Sequence, residues 1–376
     1  MKLETFSFLK NRGCSLPSLP QLDSESTLVL AFGSATEPCT KWLSELAAAY
    51  PKSHLVGGST AGEILGKSIH DDSLAVAVCR FDATQLRSAT VPIASTSASK
   101  EAGRALANKL MGPGLRGVFV ISDGTSVNGS ELVQGLNAVL PEETVVTGGL
   151  AGDGDRFQKT WVLDGDCPRS GSICAVAFYG DRISIGHGSK GGWDVFGPER
   201  VVTRSAGNVL YEIDGKSVLG LYKLYLGELA SGLPANALLF PLSLRREKSR
   251  EEHVVRTVLS IDEKAESMTL AGDVPEGSLV RFMRANFDRL VDGAGEAARL
   301  AKKDTTSNVL AVAISGVGRR LVLGDRAEEE VEAVSDVLPA SSQLIGFYSY
   351  GELSPYASGR CELHNQTMTI TTFLEP

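Results

Sequence analysis

The hydrophobic pattern of this chain repeats three times. Each copy begins with an apolar strand, continues through a Gly/Ser-containing loop and a helical stretch, and ends with a short apolar segment that runs into glycines. The three predicted strands are Thr27–Phe32, Gly117–Ile121 and Asn308–Ile314. The glycine follows the start of its strand after 30, 31 and 38 residues in the three copies. We therefore predict a β-α-β unit that is used three times.

The glycine-rich segments that end the three copies share an order of small residues and an acid. They read GGSTAGEIL (57–65), GGLAGDGD (148–155) and GFYSYGELSP (346–355). Glu63 and Glu352 occupy equivalent places, where the second copy has Asp153. Such glycines can expose backbone N–H groups to a polar ligand, or they can form tight turns that need a positive φ. The acids can bind a ligand or cap a turn.

Further apolar runs lie between the copies and predict additional strands. Residues 73–81 and 86–93 are separated by a short polar turn, which is typical of a hairpin. Strands are also predicted at 159–164, 172–179 and 182–187, with the step Tyr179-Gly180-Asp181 as the turn between the last two. Pairs of strands that follow a β-α-β unit imply mixed sheets. The predicted fold class is α/β, with repeated β-α-β units and hairpins forming mixed sheets in two domains.

The pattern changes at Gly188, where GSKGGWDVFGPER is rich in glycine and predicts a linker or loop that carries an exposed aromatic. We predict an N-terminal arm or edge element at 1–26, an N-terminal domain at 27–200 and a C-terminal domain at 201–376. The elements predicted in the C-terminal domain are strands at 254–261, 267–271 and 360–374, helical stretches at 280–290 and 295–303, and a solvated, mixed-charge segment at 245–256.

Composition excludes several classes of protein. The 376 residues are 43% hydrophobic and 22% charged, and the net charge of −8 with no basic block argues against nucleic-acid binding. No stretch of about 18 apolar residues predicts a membrane span. Six cysteines at irregular spacing, without a CxxC pair, do not indicate a disulfide framework. The start of the chain lacks a signal-peptide pattern, so the expected compartment is the cytoplasm.

These segments resemble the FIST family of intracellular signal-transduction proteins, which carry an N-terminal and a C-terminal FIST domain. The matching segments are GGSTAGEI (57–64), GGLAGD (148–153), the GW…GNVLYEIDG run (192–215), and FYSYGELSP with ELHNQT (347–367). The resemblance implies a bacterial sensory module for a small ligand that works with a histidine kinase or a cyclic-dinucleotide enzyme. One similar subgroup, the nitric-oxide-sensing NosP proteins, carries b-type haem, so haem b and nitric oxide enter as expectations.

A haem would need an axial ligand, and the histidines differ in their suitability. His187 ends a strand and precedes the glycine-rich segment with Trp193, which favours it as the metal ligand over His364 in the closing strand. For each histidine the alternative is a hydrogen-bonded structural role. His54, His70 and His253 read as surface positions. Any haem would be bound without covalent attachment, because the chain has no CxxCH.

Sequence motifs give little support to catalysis. The chain has no GxSxG, HExxH or Walker A motif, and GAGEAA (293–298) lies in a helical stretch with no strand directly before it. We therefore predict a non-enzymatic sensor with its site in an interdomain cleft. The alternatives are a non-haem sensor of a small metabolite such as an amino acid, and an enzyme that uses the same cleft. The predicted ligand-binding residues are Gly58, Ser59, Thr60, Glu63, Gly149, His187, Trp193, Tyr348, Tyr350, Gly351, Glu352, His364 and Asn365.

Overall fold

The computed structural model describes residues 1–34, 37–165, 167–233, 235–245, 253–303, 305–355 and 359–376. Residues 246–252 of the predicted mixed-charge segment lie outside these ranges. The first elements are β1 (Lys2–Leu9), β2 (Gly13–Cys14), β3 (Thr27–Gly33), α1 (Glu37–Ala49), β4 (His54–Ser59), β5 (Glu63–Leu65), β6 (Ser68–His70), β7 (Ser73–Arg80), β8 (Gln85–Pro92) and α2 (Ser99–Leu110).

The middle of the chain contains β9 (Leu115–Ser122), α3 (Gly129–Asn137), β10 (Val145–Leu150), β11 (Val162–Asp164), β12 (Cys167–Arg169), β13 (Ser172–Tyr179) and β14 (Ser184–Lys190). The following segment contains β15 (Asp194–Ala206), β16 (Val209–Ile213), β17 (Lys216–Ser217), α4 (Val218–Leu226), β18 (Leu242–Arg245), β19 (Val254–Arg256), β20 (Val258–Asp262), β21 (Ser267–Leu270) and β22 (Leu279–Arg284). The last elements are α5 (Phe287–Ala301), β23 (Val309–Gly316), α6 (Val317–Leu323), α7 (Ala327–Val337), β24 (Ser342–Ser349), β25 (Gly351–Pro355), β26 (Cys361–His364) and β27 (Met368–Leu374).

Three sheets share one strand order. Sheet I is β12-β11-β4-β3-β7-β1, extended by β2, sheet II is β26-β25-β10-β9-β13-β8, and sheet III is β6-β5-β24-β23-β27-β14. In each sheet the strands on either side of a helical crossover are parallel, namely β3 with β4, β9 with β10, and β23 with β24. The flanking strands pair antiparallel. The predicted three-fold repeat and the mixed sheets are confirmed.

The three units exchange strands in a cycle. The β5–β6 hairpin begins within the first glycine segment and pairs with β24 in sheet III. The β25–β26 hairpin begins within the third segment and pairs with β10 in sheet II. Strand β11 follows the second segment and pairs with β4 in sheet I. Strands from the predicted segments 27–200 and 201–376 therefore share sheets II and III, and the boundary at residue 200 stays a prediction.

Three backbone hydrogen bonds tie the glycine segments to one another around this cycle. They run from Ala61 N to Tyr348 O (2.8 Å), from Tyr350 N to Leu150 O (3.1 Å), and from Gly152 N to Ser59 O (2.9 Å). The first glycine of each segment also has the same close neighbour. A Cβ atom there would lie within 1.8–1.9 Å of a carbonyl oxygen on the parallel strand, for Gly57 at Ala31, Gly148 at Val120 and Gly346 at Ala313. The glycine repeat thus reflects close strand packing at the junction of the three units.

The inner faces of the three sheets pack against one another and form the central core. Phe32 of sheet I lies 4.7 Å from Phe347 of sheet III, and Phe178 of sheet II stacks 4.7 Å from Phe373 of sheet III, measured between ring centroids. Helices cover the outer faces: α1 packs on sheet I, α2 and α3 on sheet II, and α5 and α7 on sheet III.

Residues 194–284 form an insertion between β14 and α5, with its own core. Strand β15 pairs with β22 through its first half and with β16 through its second half, so it links the two halves of the eight-stranded sheet of the insertion. Phe282 and Tyr222 are buried at the centre of this insertion core. The insertion lies against the third unit, where Val255 and Met283 pack in one cluster with Leu323 and Ala327.

The predicted hairpins at 73–93 and 172–187 are wrong. Strand β7 lies in sheet I and β8 in sheet II, while β13 lies in sheet II and β14 in sheet III. The turns are short, as predicted, but each one carries the chain from one sheet to the next. The predicted strand 360–374 is likewise divided between β26 of sheet II and β27 of sheet III. Alternation along a single strand does not show which sheet the strand joins.

The predicted loop from Gly188 is also wrong, because β14 extends to Lys190 and β15 begins at Asp194. Its glycines serve close packing: a Cβ atom on Gly188 would lie 2.3 Å from the carbonyl oxygen of Ala297 on α5. Trp193 is buried at 7% exposure rather than exposed. The predicted helix at 280–290 is mostly β22, and α5 begins only after Asn286, whose side chain caps the helix by accepting from Arg289 N.

Candidate functional site

A pocket of about 530 Å³ lies between the insertion and the third unit, and its wall is mostly apolar. The insertion contributes Leu238, Thr257, Val258, Leu259 and Ala271. The third unit contributes Gly316, Val317, Gly318, Ser349, Tyr350, Glu352, Asn365 and Gln366, and the loop after the second glycine segment adds Asp155 and Phe157. Gly316 and Ser349 end the parallel strands β23 and β24, and the carboxyl ends of such strands are where ligand crevices form in α/β sheets. Glu352 lies on β25, and Asn365 and Gln366 lie in the turn between β26 and β27.

Glu352 is the acid at the base of this pocket. It is fully buried, and three donors hold its carboxyl group. Ser349 Oγ donates to Oε1 (2.8 Å), while Thr367 donates to Oε2 from both its N–H (3.0 Å) and its hydroxyl (2.8 Å). Burial raises the pKa of Glu352 to about 7, although the bonds from Thr367 and Ser349 oppose the shift. Glu352 therefore changes its charge near neutral pH.

Glu63 occupies the equivalent position in the first unit and has the same set of donors. Its carboxyl group accepts from the Thr60 hydroxyl and from the N–H (3.2 Å) and hydroxyl (2.7 Å) of Ser73. Burial raises the pKa of Glu63 to about 7 as well. Asp153 differs, because it accepts from the N–H groups of Gln158 and Lys159 and from the Tyr350 hydroxyl. The acid is thus part of the repeat, and Glu352 is the copy that lines the 530 Å³ pocket.

The turn from Asn365 to Thr367 forms the floor of the pocket. Gln366 has a φ of +58°, and its carbonyl oxygen accepts a 2.7 Å bond from Trp193 Nε1. Two amide oxygens in this turn, Asn365 Oδ1 and Gln366 Oε1, are buried and have no hydrogen-bond partner in the described part of the chain. Buried acceptors are normally satisfied, so the turn beside the pocket has two acceptors whose hydrogen bonds are not made within the described residues.

Tyr350 and Phe157 form an aromatic wall at the mouth. Their rings are stacked with centroids 4.3 Å apart and an interplanar angle of 17°. The Tyr350 hydroxyl donates to Asp153 and accepts from Phe157 N at 3.2 Å. Burial and the hydrogen bond to Asp153 raise the pKa of Tyr350 above its usual value. This tyrosine therefore stays neutral and fixes the loop at the mouth of the pocket.

Tyr348 lies in the interior, where its hydroxyl donates to Glu330 Oε1 at 2.8 Å. Glu330 also accepts from the Ser315 hydroxyl and from two nitrogens of Arg319, and neither charged side chain has any exposure. Arg319 donates as well to the backbone oxygens of Leu290 and Gly191. This buried network joins the start of α6, helix α7 and strand β24, and so supports the third-unit side of the pocket.

Ten of the thirteen predicted site residues, all except Tyr348 and the two histidines, fall into three groups. Tyr350, Glu352 and Asn365 line the pocket, and Gly351 packs beside Asn365. The residues of the other glycine segments lie at the junction of the three units, away from the pocket lining: Gly58, Ser59, Thr60, Glu63 and Gly149. Trp193 lies behind the floor and contacts it through Gln366.

Neither histidine favoured for haem lines the pocket. His187 is half-buried on β14, and burial together with the charge of Lys303 lowers its pKa. His364 is buried on β26, where Nε2 lies 3.0 Å from the Ser354 carbonyl oxygen, and burial lowers its pKa to about 4. The described lining of the pocket contains no imidazole, so it does not fit an imidazole-ligated haem. Haem ligation by His187 stays a prediction for a location outside this pocket.

Several lining residues were not predicted from the sequence. Gln366 and the Gly316–Gly318 step stand next to predicted elements, and a glycine pair directly after a buried strand is a signal that could have identified the latter. Phe157 and the insertion residues, such as Val258 and Ala271, come from distant parts of the chain. Their approach depends on the position of the insertion, which no local pattern indicates.

Two family models match stretches of the chain that contain the three glycine segments. The FIST N domain model matches residues 27–216, and the FIST C domain model matches residues 219–355. No curated protein matches the chain. A solved structure titled as cyanuric acid hydrolase from A. caulinodans is similar over 93% of this chain and 89% of its own, at 11% identity. The TM-score of this match is 0.33. Among the described helices, none has the length and apolarity needed to cross a membrane.

Proposed function

Because the chain belongs to the FIST family, whose domains are sensor domains of signal-transduction proteins, we propose that it binds a small ligand in the pocket between the insertion and the third unit. The observation that carries this proposal is the combination of an apolar wall with a floor of buried, unpaired amide oxygens. Binding pockets are typically apolar with a few placed polar groups, and this one has both features.

The position of the pocket indicates how ligand binding could produce a signal. A ligand there contacts β20 and the residue after β21 on one side, and the strand ends of the third unit on the other. It therefore stabilises one placement of the insertion against the third unit, which changes the surface offered to a signalling partner. We propose a histidine kinase or a cyclic-dinucleotide enzyme as that partner, as the family resemblance implies.

The site is tested by replacing each of two alanines with phenylalanine. Ala271 lines the pocket, whereas Ala265 is exposed in the turn of the same β20–β21 hairpin. We expect a screen of small metabolites to find compounds that raise the melting temperature of wild type and Ala265→Phe, but not of Ala271→Phe, since the added ring fills the pocket. Stabilisation that survives in Ala271→Phe would place the site elsewhere. Turnover of a stabilising compound would favour the enzyme alternative.

A further inference from the structure

We infer that the ligand of this pocket is a small amine with an apolar body, whose nitrogen binds beside Glu352, Asn365 and Gln366. The inference rests on the proposed function and adds the chemical class of the ligand. It follows from the balance of charged groups, donors and acceptors around the pocket.

The described lining of the pocket carries negative charge and no cation. Its two ionisable carboxyl groups are Glu352 at the base and Asp155, which is exposed at the mouth. No lysine, arginine or histidine appears among the described lining residues. The charge of the nearby Arg319 lowers the pKa of Glu352, but the Arg319 N–H groups already donate to Glu330 and to backbone oxygens. A ligand carboxylate would therefore lose its hydration without gaining a cationic partner, which is unfavourable in a buried site.

The floor of the pocket has three acceptor groups, which equals the number of N–H donors in an ammonium group. An ammonium has three N–H donors and no acceptor. Asn365 Oδ1 and Gln366 Oε1 have no partner in the described part of the chain, and the Glu352 carboxyl group lies in the same lining. The orientation of the Gln366 amide is set by Leu238, whose carbonyl oxygen lies 3.5 Å from Nε2, so the oxygen is left as the unpaired atom. A primary amine would supply the donors that this floor lacks.

The remaining wall determines the body of the ligand. Leu238, Val258 and Val317 give an apolar surface, and the Tyr350 ring faces the same space. A cavity of about 530 Å³ accommodates an aromatic ring with a short chain. Binding of the cation also favours the ionised form of Glu352. Because burial raises the pKa of Glu352 to about 7, amine binding should strengthen as the pH rises from 6 to 8.

The test uses three probes of matched size: 2-phenylethylamine, 3-phenylpropionate and 2-phenylethanol. We expect the amine to bind wild-type protein in isothermal titration calorimetry, with the carboxylate and the alcohol at least about tenfold weaker. Amine affinity should rise about tenfold between pH 6 and pH 8, following the ionised fraction of a carboxyl group with a pKa near 7. The pH series needs no variant, so it remains informative if a substitution prevents folding.

Two matched glutamine variants complete the test. Glu352→Gln should weaken amine binding at least about tenfold, because it removes the charge that faces the cation. Glu63→Gln should not change it, because Glu63 has the same donors but lies outside the pocket. Equal or tighter binding of the carboxylate, equal effects of both variants, or no amine binding would overturn the amine inference. In that case a metabolite whose stabilising effect is lost in Ala271→Phe would still support the site, and a failure of both tests would reject the site as well.

Discussion

Glu330 gives the sharpest test of how the third unit is held together. It is adjacent in sequence to Glu329, but the two side chains have opposite environments. Glu330 has no exposure and accepts four hydrogen bonds, two of them from Arg319. Glu329 is 45% exposed and pairs only with Arg326 within the described residues, at 2.7 Å.

Glu330→Ala would leave the Arg319 guanidinium buried beside an empty space. Removal of one partner from a buried ion pair costs about 3–5 kcal/mol, because the remaining charge is uncompensated. Tyr348→Phe removes one donor to the same carboxylate, and we expect a smaller loss of about 1–3 kcal/mol. Glu329→Ala should have little effect, since solvent already screens that surface pair.

Urea unfolding measures these differences in the free energy of unfolding. Tryptophan fluorescence is a suitable signal because Trp193 packs in one cluster with Leu323 and Ala327 at the start of α7. The combined change Glu330→Met and Arg319→Met should recover most of the stability lost in Glu330→Ala, since no buried charge remains unpaired. Equal losses of stability in Glu330→Ala and Glu329→Ala would show that the buried ion pair does not stabilise the third unit.

Three further outcomes are expected. Gly148→Ala should lower the free energy of unfolding by about 3 kcal/mol or more, because its Cβ would lie 1.8 Å from Val120 O. Gly66 also has a positive φ but has open space around it, so Gly66→Ala should lose much less stability in the same urea assay. The raised pKa of Glu63 stabilises the fold below about pH 4.5, and this stabilisation is lost as the pH rises through about 7. Between pH 5 and 8 the free energy of unfolding of wild type should fall by up to about 1.4 kcal/mol per pH unit relative to that of Glu63→Gln. Identical pH profiles of the two proteins would contradict this expectation. If the haem prediction holds, haemin gives a Soret shift that disappears in His187→Ala, and an unchanged spectrum in wild type would reject it.

The repeated unit could be predicted from the sequence because residues that are close together in the chain determine its structure. Each copy combines a buried strand, an amphipathic helix and a glycine that the neighbouring parallel strand requires, and all three act within about forty residues. The same patterns identified the acids at Glu63 and Glu352 as equivalent, and the structure gives both the same donors. Local order was therefore sufficient to recognise the unit.

The pairing between units could not be predicted in this way. The turns that precede β8 and β14 look like hairpin turns, yet each carries the chain into another sheet. The pocket is a second example, because Val258 approaches Glu352 only through the placement of the insertion on the third unit. The glycines around Trp193 predict an exposed loop, but in the structure they allow α5 to pack closely. Such contacts join residues that are far apart in sequence.

A crystal structure of the protein soaked with 2-phenylethylamine tests the central claim most directly. We expect density for one molecule between the insertion and the third unit, with its ring against Val258 and Val317. Its nitrogen should lie within about 3 Å of an oxygen of Glu352, Asn365 or Gln366. Density elsewhere, for example beside His187, or an empty pocket at a concentration that saturates binding in solution, would show that the amine does not bind in this pocket.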